Sequence, residues 1–338
     1  MTMRSLWCVE PGRVEWRDVP APRLAGDLEA IVAPVAASRC AFDHGLTAGG
    51  SPYMTPFAIG HEAVARVVEV GDAVRNVEPG DLVVVPPNIA CGECDRCRRG
   101  LTAHCRSTPP GAAYGIPAGG AWGGLFDDLV KVPFADAMLA SVPAGVDPVE
   151  VTAAGDSLAL GHDVMSEHLG AGRRSVAVLG SGEHGLYQVA FATVLGADRV
   201  VYVDDDAERR EVAAQLGAHT AAGPPDRADG PFELVVDAAA REDWLRRAVR
   251  MLEPEGEIEC LGGYFGDIRL PALPLYGGGI NIRFGIGSGR PHATATIDAV
   301  ARGLVRPSDL WATRVPWDDL PTAYAEEPRK IIAVHSGE

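Results

Sequence analysis

The residues with the most chemistry in them are cysteines. The chain has seven, and four fall in the run Cys91-x2-Cys94-x2-Cys97-x7-Cys105. Four soft thiolates at this spacing can close a tetrahedron around Zn²⁺ and leave no coordination position open, so such a site is structural rather than catalytic. An iron–sulfur cluster is the rival reading. The first three cysteines have bacterial ferredoxin spacing, but the fourth does not, and no Cys-Pro follows. Arg96, Arg98 and Arg99 would partly offset the negative charge of a zinc tetrathiolate; they read equally well as a solvated face. Cys8 and Cys260 are expected to be buried as small apolar residues.

A second constellation stands apart from this lobe. Cys40 is followed by Asp43 and His44, and further on comes Gly60-His61-Glu62. Cysteine with histidine is a normal start for an open zinc site. Alone, however, Cys40 reads as a buried small hydrophobe, and His61 as a core or surface histidine.

A third is Gly180-Ser181-Gly182-Glu183-His184-Gly185, a G-x-G-x-x-G run that follows an apolar strand and opens a helix. In that context the first glycine permits the tight turn, and the second lets backbone approach a pyrophosphate. The third lets helix and strand pack closely, with the phosphates at the helix N-terminus. Asp204 ends the next strand and can accept hydrogen bonds from an adenosine ribose diol, while repelling a 2′-phosphate. This favours NAD over NADP. Glu183 is expected to face solvent, because a carboxylate aimed at pyrophosphate would weaken its binding.

These groups need elements to carry them. At roughly 100–200 residues per domain, 338 residues make two domains. Up to about residue 150 the chain is β- and turn-rich, with short runs such as EAIVAPVAAS, AVARVVEVG and DLVVVPP between Gly and Pro. Beyond it the pattern alternates. SVAVLG, RVVYVDDD, FELVVDAA and GEIECLGG read as strands, separated by helical stretches such as HGLYQVAFATVLGA, AERREVAAQLGA and REDWLRRAVRMLEP. That is the signature of a doubly wound parallel sheet, with INIRFGI as one more strand. HATATIDAVARGLV is a further helix, and the segment after about residue 288 is expected to return to the first domain.

Composition narrows the partners. Apolar residues are 47% and charged residues 22%, which excludes a disordered chain. A net charge of −16 gains nothing from counterion release, so nucleic acid and anionic membranes are poor partners. No apolar run reaches the roughly 18 residues of a membrane span. The odd cysteine total, with an N-terminal MTMRSLWCVEPGR that lacks a signal-peptide apolar region, argues for reduced thiolates and a cytoplasmic setting.

Taken in order, the Cys40-Ala41-Phe42-Asp43 and Gly60-His61-Glu62 motifs, the four-cysteine lobe and the nucleotide-binding half resemble the zinc-dependent medium-chain dehydrogenase/reductase family over nearly the full length. This is the family of alcohol, polyol, threonine and glucose dehydrogenases. The resemblance implies an α/β protein in which a β-rich, GroES-like catalytic domain (1–156 and 288–338, zinc lobe 88–108) flanks a Rossmann cofactor domain (157–287). It implies two zinc ions per chain, one structural and one catalytic, and NAD(H). The catalytic zinc would be held by Cys40, His61 and an acidic residue just before the cofactor domain. Here that stretch reads Asp156-Ser157-Leu158-Ala159, which makes Asp156 the third ligand or, on the plainer reading, a helix cap. Glu62 would approach the metal or be a fourth ligand, and Asp43 would accept the free imidazole N–H of His61. Leu261 and Gly262 join the cofactor site, and Phe42, Trp122, Leu261 and Tyr264 line the substrate pocket. Relatives are homodimers or homotetramers, and INIRFGI is a strand that could pair across a two-fold axis.

One departure stands out. Relatives carry Ser or Thr two residues after the zinc cysteine, and its hydroxyl passes the substrate proton toward solvent. Here that residue is Phe42, and the preceding glycine is Ala41. His44 is the candidate substitute shuttle, since an imidazole titrates near neutrality. Three functions therefore compete. The first is a zinc- and NAD-dependent alcohol dehydrogenase acting on a primary or secondary alcohol or its carbonyl, possible substrates including polyols and sugars. The second is a reductase of an iminium or activated C=C bond. The third is an NADH-binding scaffold without turnover.

Overall fold

AIVAPVAAS is buried on both faces because it becomes the centre of a sheet, and that sheet carries the metal-ligand candidates. The computed structural model describes residues 1–335 and divides into two units: Met1–Ala159 with the segment from Ser288 onward, and Leu160–Gly287.

The first unit begins with strands β1 (Thr2–Glu10), β2 (Arg13–Pro20), β3 (Ala30–Ser38), β4 (Phe57–Ala58), β5 (Glu62–Val70), β6 (Leu82–Val85), β7 (Val130–Val132) and β8 (Ala140–Ser141). Its short helices are α1 (Ala41–Thr47), α2 (Asp95–Arg98) and α3 (Ala135–Met138). β3 runs antiparallel to β5, with register shifts at Ile31/Val32 and Pro34/Ala36. The second shift absorbs Pro34, which has no N–H to give to a ladder. β1, β2 and β4 form a separate three-stranded sheet. Leu6, Ile59, Val83, Phe126, Leu320 and Trp317 share the core between these elements, and Trp317 stacks on Trp16 at 6.2 Å.

The second unit begins within α4 (Ser157–Gly170). It alternates β9 (Ser175–Leu179), α5 (Gly182–Val194), β10 (Arg199–Asp204), α6 (Ala207–Gln215), β11 (His219–Ala222), β12 (Phe232–Asp237), α7 (Glu242–Ala248), β13 (Leu252–Cys260), α8 (Ala272–Gly278) and β14 (Asn281–Phe284). All six strands are parallel, in the order β11-β10-β9-β12-β13-β14. The order reverses between β9 and β12, which places a ligand crevice at the carboxyl ends of those two strands. Two stretches differ from the sequence reading. The helix expected through Pro254 ends at Ala248, and β13 starts at Leu252, because Leu252 is drawn opposite Phe232 in the ladder. β11, only four residues long, and α8 were not anticipated.

The chain then returns to the first unit with α9 (Arg290–Ala301), β15 (Ala312–Pro316), α10 (Leu320–Glu326) and β16 (Lys330–Val334). β16 inserts between β15 and β3, giving a sheet ordered β15-β16-β3-β5-β6-β8, with β7 also paired to β3. No helix among the described residues is long and apolar enough to cross a membrane.

Candidate active site

The four-cysteine run turns around α2 and brings the Sγ atoms of Cys91, Cys94, Cys97 and Cys105 within 4.8 Å of one another. Backbone N–H groups point at these sulfurs. Cys91 N–H donates to Cys105 Sγ at 3.4 Å, Cys97 N–H to Cys94 Sγ at 3.5 Å, and Arg106 N–H to Cys94 Sγ at 3.4 Å. The Ser107 hydroxyl donates to Cys91 Sγ at 3.3 Å. The N–H groups of Arg106 and Cys97 hold the Cys94 thiol down at about 6, whereas burial pushes Cys97 up to about 12. Converging soft donors, hydrogen-bonded as thiolates would be, fit a tetrahedral zinc.

The second cluster is assembled from three distant segments. Cys40 caps the start of α1, His61 precedes β5, and Asp156 precedes α4. One donor atom from each lies within 4.8 Å of the others. Asp43, fully buried in α1, faces His61 Nδ1 at 3.0 Å and accepts the Cys40 N–H at 3.1 Å. The other ring nitrogen, Nε2, faces Asp156 Oδ2 at 3.5 Å. Burial, then the charge of Glu62, push the Cys40 thiol up to about 12. Burial opposes a charged His61, but Asp43 and Asp156 outweigh it and hold the imidazole well above its ordinary value. A dication suits this donor set: a thiol lifted by burial, an imidazole oriented by a carboxylate, and a carboxylate.

Gly60 explains how His61 is aimed. Its φ is +94°, and a Cβ there would lie 2.4 Å from Phe126 Cδ2. Leu125 N–H donates to Gly60 O at 2.8 Å, so the Gly115–Asp127 segment braces this turn.

Glu62 is placed differently from a metal donor. Its Oε2 accepts from Ser38 Oγ and Lys330 Nζ, both at 2.5 Å, and its Oε1 accepts the Ser157 hydroxyl and, at 3.3 Å, the Ser157 N–H. Burial would raise the Glu62 carboxyl, but the Lys330 ammonium outweighs it and holds the group down at about 2. Sequence reasoning missed Ser38, Ser157 and Lys330, and no local motif marks them. Phe42 is half-buried with its ring edge toward His61, centroids 6.3 Å apart. His44 is exposed on α1. Trp122 lines a cavity of about 470 Å³ with Trp7, Met54, Phe57 and Ile116.

In the second unit the glycine loop joins β9 to α5. Gly180 and Gly182 have φ of +41° and +57°, and a Cβ on Gly185 would lie 1.9 Å from Gly180 O. Ser181 is the N-cap residue of α5, whose N-terminus is a positive end for phosphate. The expectation that Glu183 faces solvent is corrected: it is 3% exposed, and His184 is buried too. α5 is buried along nearly its whole length, and the positive helix end tolerates a carboxylate in the first turn. Asp204 is 1% exposed and already engaged. Arg209 donates to both its oxygens at 2.8 and 2.6 Å, Tyr202 Oη–H to Oδ2 at 2.6 Å, and Asp206 N–H to Oδ1 at 2.8 Å. Across the crevice, Asp237 accepts the Tyr264 hydroxyl at 2.5 Å and the Ala239 N–H at 3.0 Å, and its backbone O accepts from Leu261 and Gly262 N–H. Burial lifts the Asp237 carboxyl to about 6. Asp237 was not singled out in the sequence, although it ends a strand as Asp204 does.

Two family models match the chain: the alcohol dehydrogenase GroES-like domain over residues 26–144 and the zinc-binding dehydrogenase domain over 185–302. The solved alcohol dehydrogenase of Thermus sp. ATN1 is 30% identical, superposes with a TM-score of 0.89, and is covered over 100% of its chain and 98% of this one. The chain belongs to the medium-chain dehydrogenase/reductase family. A Mycobacterium tuberculosis protein named "probable zinc-binding alcohol dehydrogenase" is 29% identical over 96% of this chain and 85% of its own length. The NADP-dependent isopropanol dehydrogenase of Thermoanaerobacter brockii is 31% identical over 91% of each chain. Membership makes the chain a zinc-type oxidoreductase with the GroES-like and Rossmann-type architecture seen in its two units.

Proposed function

We propose that the protein is a zinc-dependent alcohol dehydrogenase with a catalytic metal on Cys40, His61 and Asp156 and a structural metal on Cys91, Cys94, Cys97 and Cys105. The observation that carries this is the convergence of the Cys40, His61 and Asp156 donor atoms within 4.8 Å, drawn from three separate segments. Zinc held there supplies Lewis acidity to a substrate oxygen. Cys40 and Asp156 bring two negative charges to a dication, and His61, oriented by Asp43, brings a neutral donor. Three protein ligands leave a fourth position for an alcohol or carbonyl oxygen. Cys40 and His61 are 3% and 2% exposed, while the Asp156 side chain is 20% exposed.

The cofactor we infer is NAD(H). Asp204, Asp205 and Asp206 stand in sequence at the end of β10 and disfavour a 2′-phosphate. The isopropanol dehydrogenase relative is named as NADP-dependent, so the family holds both choices, and these carboxylates favour NAD in this chain. The substrate class is a primary or secondary alcohol and its carbonyl; the relative named for isopropanol acts, by that name, on a small secondary alcohol. A homo-oligomer paired through β14 is supported by its place at the sheet edge and by exposed Phe284 and Ile286 beside it.

Phe42 favours a second reading, reduction of an iminium or activated C=C bond, since it cannot pass a proton. Cys40→Ser separates the two. Metal analysis of the parent should give about two zinc per chain. The variant should keep one, bind NADH and lose alcohol turnover. Turnover that survives the substitution refutes the zinc-alcohol reading.

A further inference from the structure

We infer that the buried carboxylate of Glu62 is the tie that holds the three ligand-bearing segments together, and that Lys330 keeps it in that role and off the metal. This rests on the metal reading above. Glu62 itself adjoins His61. Ser38, which gives its hydroxyl to Oε2, lies two residues before Cys40, and Ser157, which gives both hydroxyl and N–H to Oε1, adjoins Asp156. One carboxylate therefore touches a neighbour of every proposed ligand. Ser38, Glu62 and Ser157 are at most 1% exposed, so each contact is made in a medium that strengthens it.

The fourth partner comes from the far end of the chain. Lys330 Nζ reaches Glu62 at 2.5 Å and the carbonyl of Arg39 at 3.3 Å. Arg39, in turn, donates to the carbonyls of Tyr324, Glu327 and Arg329 at 2.9, 2.5 and 2.7 Å. The Cys40 approach and the start of β16 are thus clamped to each other from both sides. Charge balance favours this role for Glu62. Cys40 thiolate and Asp156 already neutralise a dication, and a further buried carboxylate among the ligands would leave net negative charge there, whereas Lys330 neutralises Glu62 where it stands.

The test is zinc release. Parent, Ser157→Ala and Glu62→Gln/Lys330→Met proteins are loaded with zinc, counted by elemental analysis, and followed as EDTA strips them. The four-cysteine zinc is the internal control. Partners bonded directly to ligands are worth about 10–100-fold in metal affinity, and these contacts lie one residue further out. Both variants should lose one zinc about tenfold faster than the parent, with the other unchanged. The double variant keeps shape and removes both charges together, and Ser157→Ala deletes a single oxygen, so folding is preserved in at least one of them. Cobalt replacement adds a second readout. The thiolate band of the Cys40 site should keep its position in Glu62→Gln/Lys330→Met. Parent-like release in both variants, or a shifted cobalt spectrum showing that Glu62 was a ligand, overturns the inference. A parent holding one zinc that Cys40→Ser does not alter overturns the metal reading itself, and the tie falls with it.

Discussion

Asp127 offers a measurable consequence of how the His61 turn is braced. It is 4% exposed and lies at the end of the segment that packs on Gly60, with Gly124 N–H at 3.4 Å from Oδ2. Burial lifts its carboxyl to about 7, with the Ser5 hydroxyl and the Gly124 N–H pulling it back. An unfolded aspartate sits near ~3.9, so the folded value is raised by about 3 pH units, each worth about 1.4 kcal/mol. Folded protein therefore holds a proton that the unfolded chain has released between about pH 4 and pH 7. Stability from this group is highest below pH 4, falls through that window, and is flat above it, about 4 kcal/mol lower in all. Asp127→Asn cannot ionise. It should exceed the parent by up to about 4 kcal/mol at pH 8, and by only about 1.5 kcal/mol at pH 5. Denaturant unfolding followed by tryptophan fluorescence reads this unit well, because it holds every tryptophan except Trp244. Both proteins are compared at each pH with zinc present, so metal loss in acid affects the two alike. A gap that stays constant from pH 5 to pH 8, or a variant weaker than the parent at pH 8, refutes the reasoning.

Gly60→Ala should cost about 3 kcal/mol, from a strained φ and a side chain forced onto Phe126; elemental analysis should show one zinc lost while the four-cysteine zinc stays. Asp204→Ser frees the Arg209 guanidinium to meet a 2′-phosphate, so kcat/KM for NADP should rise at least about tenfold relative to NAD; an unchanged ratio counts against Asp204 as the selector. Phe42→Thr places a hydroxyl beside His61, and the kcat–pH profile for alcohol oxidation should extend to lower pH. An unmoved profile would show that Phe42 interrupts no proton path.

Short-range spacing made the most legible parts of the protein. Cys91 to Cys105 lie close in sequence and meet in space around one short helix, so their pattern is almost their geometry. The strand–helix alternation after residue 157 is similarly local, because the apolar runs of the inner strands β9, β10 and β12 are buried on both faces and stand out. Legibility failed where burial of polar groups depends on distant partners. Nothing near Glu62 announces Lys330, 268 residues away, nor Ser157, 95 away. Glu183 was expected at the surface because a carboxylate facing pyrophosphate weakens its binding, yet it is buried with nearly all of α5. Asp204 was legible as an acidic strand end, but its capture by Arg209 and Tyr202 was not. Strand limits moved by a few residues for a related reason: β13 extends back to Leu252 through pairing with β12, not through its own sequence.

The insertion of β16 between β15 and β3 has a consequence for synthesis of the chain. A ribosome delivers β3, Cys40, His61 and Asp156 early and Lys330 late, with a complete six-stranded unit made in between. Until β16 emerges, the Ala36–Ser38 end of β3 has one edge open to pairing with other chains, and Glu62 lacks its counter-charge. The nascent protein thus passes through a period in which its second unit can fold while the proposed metal site is still waiting for residues not yet translated.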